Sequence, residues 1–600
     1  MTGWDELQRA RSLLVQKRFG EAESHLRAVL ARSPNHSTAI HMLGLVRKDA
    51  GDIPGGVQLL LRSIQLEPNR AEFRSNLANL LLRIGHYDDA LLHYSHALAL
   101  EPTNSAARLG LIRGLNALQR YEAAETEARK LIAANDRDAQ AWFTLGTVLK
   151  AGGKLQEAEA AYSRAIALQP AHAAAHHNLG ALLSQMERAE EANAALQTAR
   201  RLGLRGFELA FNTGRTLLQL YRIEEAERAF AEAVALQPQN VEAQINLARL
   251  RFMQGDPAFA RALESAIAAQ PANVVLRKVH ADLLWRIGDH AGAEQVLRRL
   301  LADAPLPEVQ GTLAAVLQEM GQLETAETLA RAAVAARPQD RALIEGLICI
   351  LLARGDAHGA LEYIEPQRRA QSLAQNWIAY EAGAARLLGA ESYRELYDYE
   401  RFVQVFDLAP PSGWSSMEAL NADLLEALRA RHPFRNHPLD QSLRNGSQTA
   451  RSLLAESAPA IRAVIELFRD AVEQYRARVG YDPAHPLMSR NRGPASIAGC
   501  WSVELRRDGF HINHIHPEGW ISSAYYVSTP PEVEDAESKS GWLKFGEPRF
   551  AVPGATPEYF VQPTPGRLAL FPSYMWHGTN PIRGEAKRTT IAFDVVATGD

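Results

Sequence analysis

Cysteine is almost missing from this chain: Cys349 and Cys500 are the two among 600 residues. They stand in different segments without metal-type spacing, which leaves no disulfide framework, and they read as buried free thiols in a reducing compartment. No run of about 18 apolar residues occurs, so no membrane span is expected. The opening Met1-Thr2-Gly3-Trp4-Asp5-Glu6 has neither a basic nor an apolar leader region, so no secretory signal is expected. Charge of one sign is also lacking. With 65 basic and 69 acidic residues the net charge is -4, which gives no global drive toward nucleic acid or anionic membrane. The expectation is a cytoplasmic protein with neither nucleic acid nor membrane as partner. At 46% hydrophobic and 22% charged the composition is ordinary for a globular protein, and the length calls for at least two domains.

What is present first is a period. Prolines stand at Pro34, Pro68, Pro102, Pro170, Pro238, Pro271, Pro305 and Pro338, in steps of 34, 34, 68, 68, 33, 34 and 33. In the unit 138–171, Trp142, Leu145 and Gly146 fall on a first helix, Ala158, Tyr162 and Ala165 on a second, and Pro170 closes it. The small positions recur as Gly180, Ala192 and Ala199, and as Gly214, Ala226 and Ala233. This resembles the tetratricopeptide repeat (TPR), with about ten repeats over residues 3–340 and an eleventh, degenerate one ending near Pro366. The resemblance implies an all-α superhelical solenoid over 1–370 with a groove for a peptide or protein partner. Asn76, Asn178, Asn212 and Asn246 recur at multiples of 34 and would form a broken ladder along that groove.

After Pro366 the period fades. Residues 375–388 and 416–430 read as helices, Pro410-Pro411-Ser412-Gly413 as a break, and 460–478 as a helix started by Pro459. We assign 371–432 to a helical linker and 433–600 to a C-terminal domain whose metal-site core spans about 495–597. Residues 432–448 are polar and turn-rich, and the loop near Arg444 could line the mouth of that domain.

From Ala495 the pattern turns to short strands: 501–505, 522–527, 541–545, 567–571 and 589–595, which suggests an antiparallel sandwich or barrel. Residues i and i+2 of a strand share a face. His514 and His516 would therefore project together, beside Phe510 and Ile512, and His577 could close a triangle. Arg588 begins the next strand with Thr590 on the same face, a guanidinium and hydroxyl suited to a distal carboxylate. His511 falls on the opposite face. Tyr525, Tyr526 and Trp576 read as packing, and Lys544 and Arg549 as solvated cations. The acidic stretch 530–540 is a mobile lid or a plain exposed loop.

Residues 509–517, 522–527, 566–572, His577 and 588–593, with the loop 438–444, resemble the 2-oxoglutarate/Fe(II) oxygenases of the double-stranded β-helix (jelly-roll, cupin-like) class. Among these is a bacterial and phage group that often follows TPR arrays. The resemblance covers roughly residues 430–600. It implies Fe(II), 2-oxoglutarate as co-substrate and O2. His514 and His577 carry over as iron ligands and Arg588 as the 2-oxoglutarate anchor, with Thr590 beside it. The activity implied is a dioxygenase that hydroxylates a side chain while 2-oxoglutarate becomes succinate and CO2. One position departs from the family's His-x-Asp/Glu pattern, because His516 stands where the carboxylate belongs. Either His516 ligates, or Glu518 does after a bend at Pro517, or two histidines act with water. A neutral triad would leave the iron more positive and tighten its hold on the anionic co-substrate. Two rivals stand beside this reading: a TPR adaptor with a structural jelly roll, and a histidine-based metallohydrolase.

Overall fold

A computed structural model describes residues 3–597. Met1 and Thr2, which begin the stretch read as lacking a leader, and residues 598–600, the end of the expected C-terminal region, lie outside the described residues. The chain forms two compact units, 1–205 and 206–600, each with its own apolar core.

The first unit consists of helical hairpins, from Gly3–Val15 with Phe19–Arg32 to Ala173–Gln185 with Ala189–Arg201. Each hairpin packs on the next. The recurring small residue has a steric cause. A Cβ on Gly146 would lie 2.7 Å from the Tyr162 ring, and one on Gly180 would lie 2.7 Å from Leu196. The large residue of the second helix fills the space that the glycine leaves on the first, as repeat stacking requires. The asparagines expected to form a ladder each have a contact within the array. Asn76 Nδ2 contacts His41 Nε2 at 2.9 Å and Asn178 Nδ2 lies 3.5 Å from the Tyr162 hydroxyl. In the second unit, Asn246 donates to Glu242 O of its own helix at 2.8 Å, and Asn212 has a partner as well.

The second unit opens with further hairpins, from Phe207–Gln219 with Ile223–Leu236 to Arg341–Ala353 with Ala357–Ala370. Pro366 does not end this last hairpin. It lies inside the helix Ala357–Ala370, whose buried Ala360 and Ile364 hold it in the array. Among the described residues no helix is long and apolar enough to cross a membrane. Cys349 and Cys500 are both buried and free, and burial raises both thiols, Cys349 to about 11 and Cys500 to about 12.

Among the described residues nine strands follow: β1 (Gln404–Asp407), β2 (Leu443–Gln448), β3 (Ala495–His511), β4 (Ile521–Ser528), β5 (Leu543–Phe545), β6 (Tyr559–Val561), β7 (Arg567–Pro572), β8 (His577–Thr579) and β9 (Arg588–Ala597). They make an antiparallel six-stranded sheet, in order β1-β7-β4-β9-β3-β2, and a three-stranded sheet, β6-β5-β8. An N-terminal all-α repeat region followed by a C-terminal β domain is thus the architecture, as expected. Two stretches differ from expectation. β1 lies inside the segment assigned to a helical linker, and β2 inside the segment read as turns. Both are edge strands, where polar residues are tolerated because one side faces away from the ladder. β2 also carries a register shift at Asn445, whose φ is 50°.

The helix Pro459–Val479 covers the outer face of the six-stranded sheet. Phe468 stacks on Phe593 at 4.7 Å and meets Tyr525 edge-on at 5.2 Å. One continuous apolar core runs from Ala281 in the repeats to Val595 in β9.

Candidate functional site

The inner face of β9 sets the site's axis. Alternate residues of a strand share a face, and Arg588, Thr590, Ala592 and Asp594 all line one cavity of about 1260 Å³. Their neighbours Ile591, Phe593 and Val595 turn to the opposite, fully buried side. On β4, Ala524 and Tyr526 face the same cavity, with Tyr526 opposite Thr590 in the ladder.

His514 and His577 form a two-bond antiparallel bridge. His514 N donates to His577 O at 2.8 Å and His577 N to His514 O at 3.1 Å. His516 N donates to Ser573 O at 3.0 Å. The pair therefore does not sit in a regular strand, since β3 ends at His511. Backbone bridges to β8 and to the end of β7 bring the two rings together. Ring centroids are 4.3 Å apart for His514 and His577, 5.0 Å for His514 and His516, and 5.2 Å for His516 and His577. The three offer ligand atoms within 4.8 Å of one another.

The other ring nitrogens are all engaged. His514 Nδ1 lies 2.8 Å from Ile512 O, His577 Nδ1 2.9 Å from Met575 O, and His516 Nδ1 2.8 Å from Asp594 Oδ2. Donation from Nδ1–H fixes the tautomer that leaves Nε2 free, as metal-binding histidines require. Burial first, then the neighbouring imidazoles, holds His514 down to about 3 and His577 well below the usual histidine range. Both rings are therefore neutral, the state that binds a cation. The donor set fits a divalent transition metal.

Arg588 is 2% exposed. It donates to Gly541 O, while its Nε, Thr590 Oγ1 and the Tyr526 hydroxyl have no hydrogen-bond partner. Burial lowers the Arg588 guanidinium from its usual range, while it pushes the Tyr526 phenol up to about 12, which keeps the phenol protonated. A buried guanidinium without a counter-ion is costly. These three groups fit the carboxylate of a small acid.

Each residue singled out from the sequence is thus placed: His514, His516, His577, Arg588 and Thr590 line one cavity. Glu518 is exposed and stands outside the group of metal-competent residues. His511 is not on the far side, because the chain leaves strand geometry after it. Its ring stacks 5.8 Å from that of His514, and its Nδ1 lies 2.9 Å from the Ser442 hydroxyl. Trp576 packs on Phe550 and Tyr380, and Tyr525 bonds Asn421 at 2.7 Å. Lys544 pairs with Glu547. The 530–540 loop is pinned by buried Val533 and contributes nothing to the cavity wall.

Three contributors escaped sequence reasoning: Tyr526, Ser442 and Asp594. The signal for Asp594 was readable, since it follows Arg588 by an even number of residues on an alternating strand. Arg444 lines the cavity, as expected of its loop, but the far wall beside it was not readable: it comes from Trp285, Arg286, His290, Glu319 and Leu323 of the repeats.

Comparison with known families agrees with these two parts. Residues 499–594 match the family described as "Putative 2OG-Fe(II) oxygenase". Residues 41–105 and 211–274, 81–146 and 146–186 match tetratricopeptide-repeat families. The chain thus carries TPR repeats in its N-terminal region and matches the "Putative 2OG-Fe(II) oxygenase" family at 499–594. Among solved structures it is similar to yeast Tom70, at 14% identity over 66% of this chain and 97% of that one, with a TM-score of 0.36. A TPR protein of Parabacteroides merdae is 18% identical over 40% and 96%, with a TM-score of 0.36. A thermophilic TPR protein of Thermus thermophilus is 21% identical over 32% and 99%, with a TM-score of 0.27. At these scores the likeness carries no functional argument. No curated protein matches the chain.

Proposed function

We propose that this chain is a 2-oxoglutarate- and Fe(II)-dependent dioxygenase that hydroxylates a side chain of a peptide or protein segment. The observation that carries the reading is the pairing of three histidines, each engaged through Nδ1, with a buried Arg588 that lacks a counter-ion. His514, His516 and His577 would hold the iron. Arg588, Thr590 and Tyr526 would hold the far carboxylate of 2-oxoglutarate. Iron with its co-substrate supplies the oxidising power. The chain's own residues orient the reactants and shut out water. Trp501, Ile512 and Phe571 line the cavity with apolar surface, and the Ser442 hydroxyl lies 3.3 Å from His514 Nε2.

The cavity exceeds the ~300–1,000 Å³ of common small-molecule sites. Its far wall is built from repeat helices, and TPR arrays commonly bind proteins. Both points favour a peptide over a free metabolite. The triad is not isolated from negative charge, because the Asp594 carboxylate lies one hydrogen bond from His516. Against a purely structural jelly roll stands the uncompensated Arg588. Against a metallohydrolase stands the absence of a carboxylate from the metal-competent group among the described residues. The two free thiols accord with a cytoplasmic setting.

The test is succinate release from 2-oxoglutarate in the presence of Fe(II) and ascorbate. We expect turnover that requires all three, and a loss of at least 100-fold in Arg588→Ala through weakened 2-oxoglutarate binding. Absence of both 2-oxoglutarate binding and succinate release in the wild type would overturn the reading.

A further inference from the structure

The three histidines are not equivalent. His514 and His577 each donate Nδ1–H to a backbone carbonyl two residues earlier in their own chain segment. Their orientation is a local property. His516 alone donates to a carboxylate, Asp594 Oδ2. That carboxylate is itself held. Its Oδ1 accepts from the Ser522 hydroxyl at 2.9 Å, and the Ser522 hydroxyl lies 2.9 Å from that of Ser573. Ser522 stands opposite Asp594 in the ladder between β4 and β9. The turn after His516 closes tightly over this network, since a Cβ on Gly519 would lie 2.5 Å from Ser573 Oγ. The Trp501 ring lies nearly parallel to that of His516, at 14° and 6.2 Å. The bond to Asp594 sets the tautomer of the His516 ring, and Trp501 lies along its plane.

We propose that Asp594 is a positioning residue that supplies the metal centre with its negative charge through His516, and so makes His516 the strongest donor of the three. The proposal rests on the reading of the triad as a metal centre. A carboxylate on the far nitrogen of an imidazole raises the basicity of the ligating nitrogen. Counted with Asp594, the three-histidine site carries one negative charge that the rings alone do not. The same strand keeps that charge away from the anion anchor. Arg588 and Asp594 lie on one face of β9, six residues apart, which is roughly 20 Å at about 3.3 Å per residue. The Asp594 oxygens are taken up by His516 and Ser522 and not by Arg588.

The experiment uses the full chain and Co(II), whose visible absorption reports ligand field and occupancy. Wild type is expected to bind one Co(II), and His514→Ala/His577→Ala to lose it. Asp594→Asn is expected to weaken Co(II) binding ten- to a hundredfold, the usual effect of removing such a partner, and to shift the visible bands. In a His516→Ala background the same change is expected to add nothing, as a double-mutant cycle demands of a residue acting through His516. Ser522→Ala, which frees Asp594 Oδ1 and leaves the backbone ladder intact, is expected to weaken binding severalfold even where Asp594→Asn fails to fold. Wild-type affinity and spectrum in both Asp594→Asn and Ser522→Ala would overturn the proposal. So would an equal loss from Asp594→Asn with and without His516. If the wild type binds no Co(II), or the double histidine variant binds it unchanged, the metal-centre reading itself falls and takes the proposal with it.

Discussion

His432 sits between two hydroxyls, with Ser447 Oγ 2.9 Å from Nδ1 and Ser502 Oγ 3.0 Å from Nε2. Burial lowers its pKa to about 4. The sign of its effect on stability follows from linkage. Between about 6.5 and 4 the unfolded chain holds a proton on this ring that the folded chain refuses, so stability falls as pH drops through that window and levels below it. The full effect is at most about 3 kcal/mol. Urea midpoints at pH 7, 5.5 and 4 are expected to fall less steeply for His432→Gln than for the wild type. At this scale much of the site was legible. His514, His577, Arg588 and Thr590 announce themselves by residue type and spacing. Tyr526 did not, and Asp594 showed only the face it shares with Arg588, because a tyrosine or aspartate in a strand gains a role only from what faces it. Here the facing partners lie on other strands or past the end of one.

The strap between the helix Met417–Arg429 and β2 shows how one element can be anchored twice. Phe434 is buried among Phe230, Met253 and their neighbours, and Leu439 among Phe259, Leu263 and Leu283. Arg435 and Asn436 both donate from the backbone to Met253 O, at 2.8 and 3.0 Å. Asp440 pairs with Arg249 at 3.4 Å. Phe434→Ala is expected to cost roughly 3–5 kcal/mol by the cavity it leaves, measured as a lowered unfolding midpoint. Succinate release below that midpoint is expected to persist, since Phe434 is not among the residues that line the cavity. The helices on either side of the strap were readable from apolar period and caps. β1, β6 and β8 were not, because three or four residues are too few to establish an alternation. β2 was hidden by its composition. Leu443-Arg444-Asn445-Gly446-Ser447-Gln448 reads as a turn until β3 pairs with it.

Across the whole chain, the boundary that composition suggests near residue 432 is crossed by one apolar core. Tyr397, Phe402, Leu424 and Phe468 join Trp377 and Leu351 to Phe571 and Phe593. A fragment of residues 433–600 would expose that surface, so it is expected to be insoluble or to lack a cooperative melt. A fragment of residues 206–600 keeps the core entire and is expected to melt cooperatively and to bind Co(II), as read by circular dichroism and visible absorption. The repeat period revealed the solenoid without revealing this continuity, which depends on packing between residues far apart in sequence. The strand order carries a kinetic meaning as well. β9 lies between β3 and β4, yet both of those strands are synthesised before it. At the roughly 5–20 residues per second of translation, β3 and β4 wait for several seconds with unpaired edges toward the gap that β9 will fill. The strand that seals the sheet is also the strand that delivers Arg588 and Asp594. A nascent chain therefore has neither Arg588 nor Asp594 at the cavity wall until its sheet is closed.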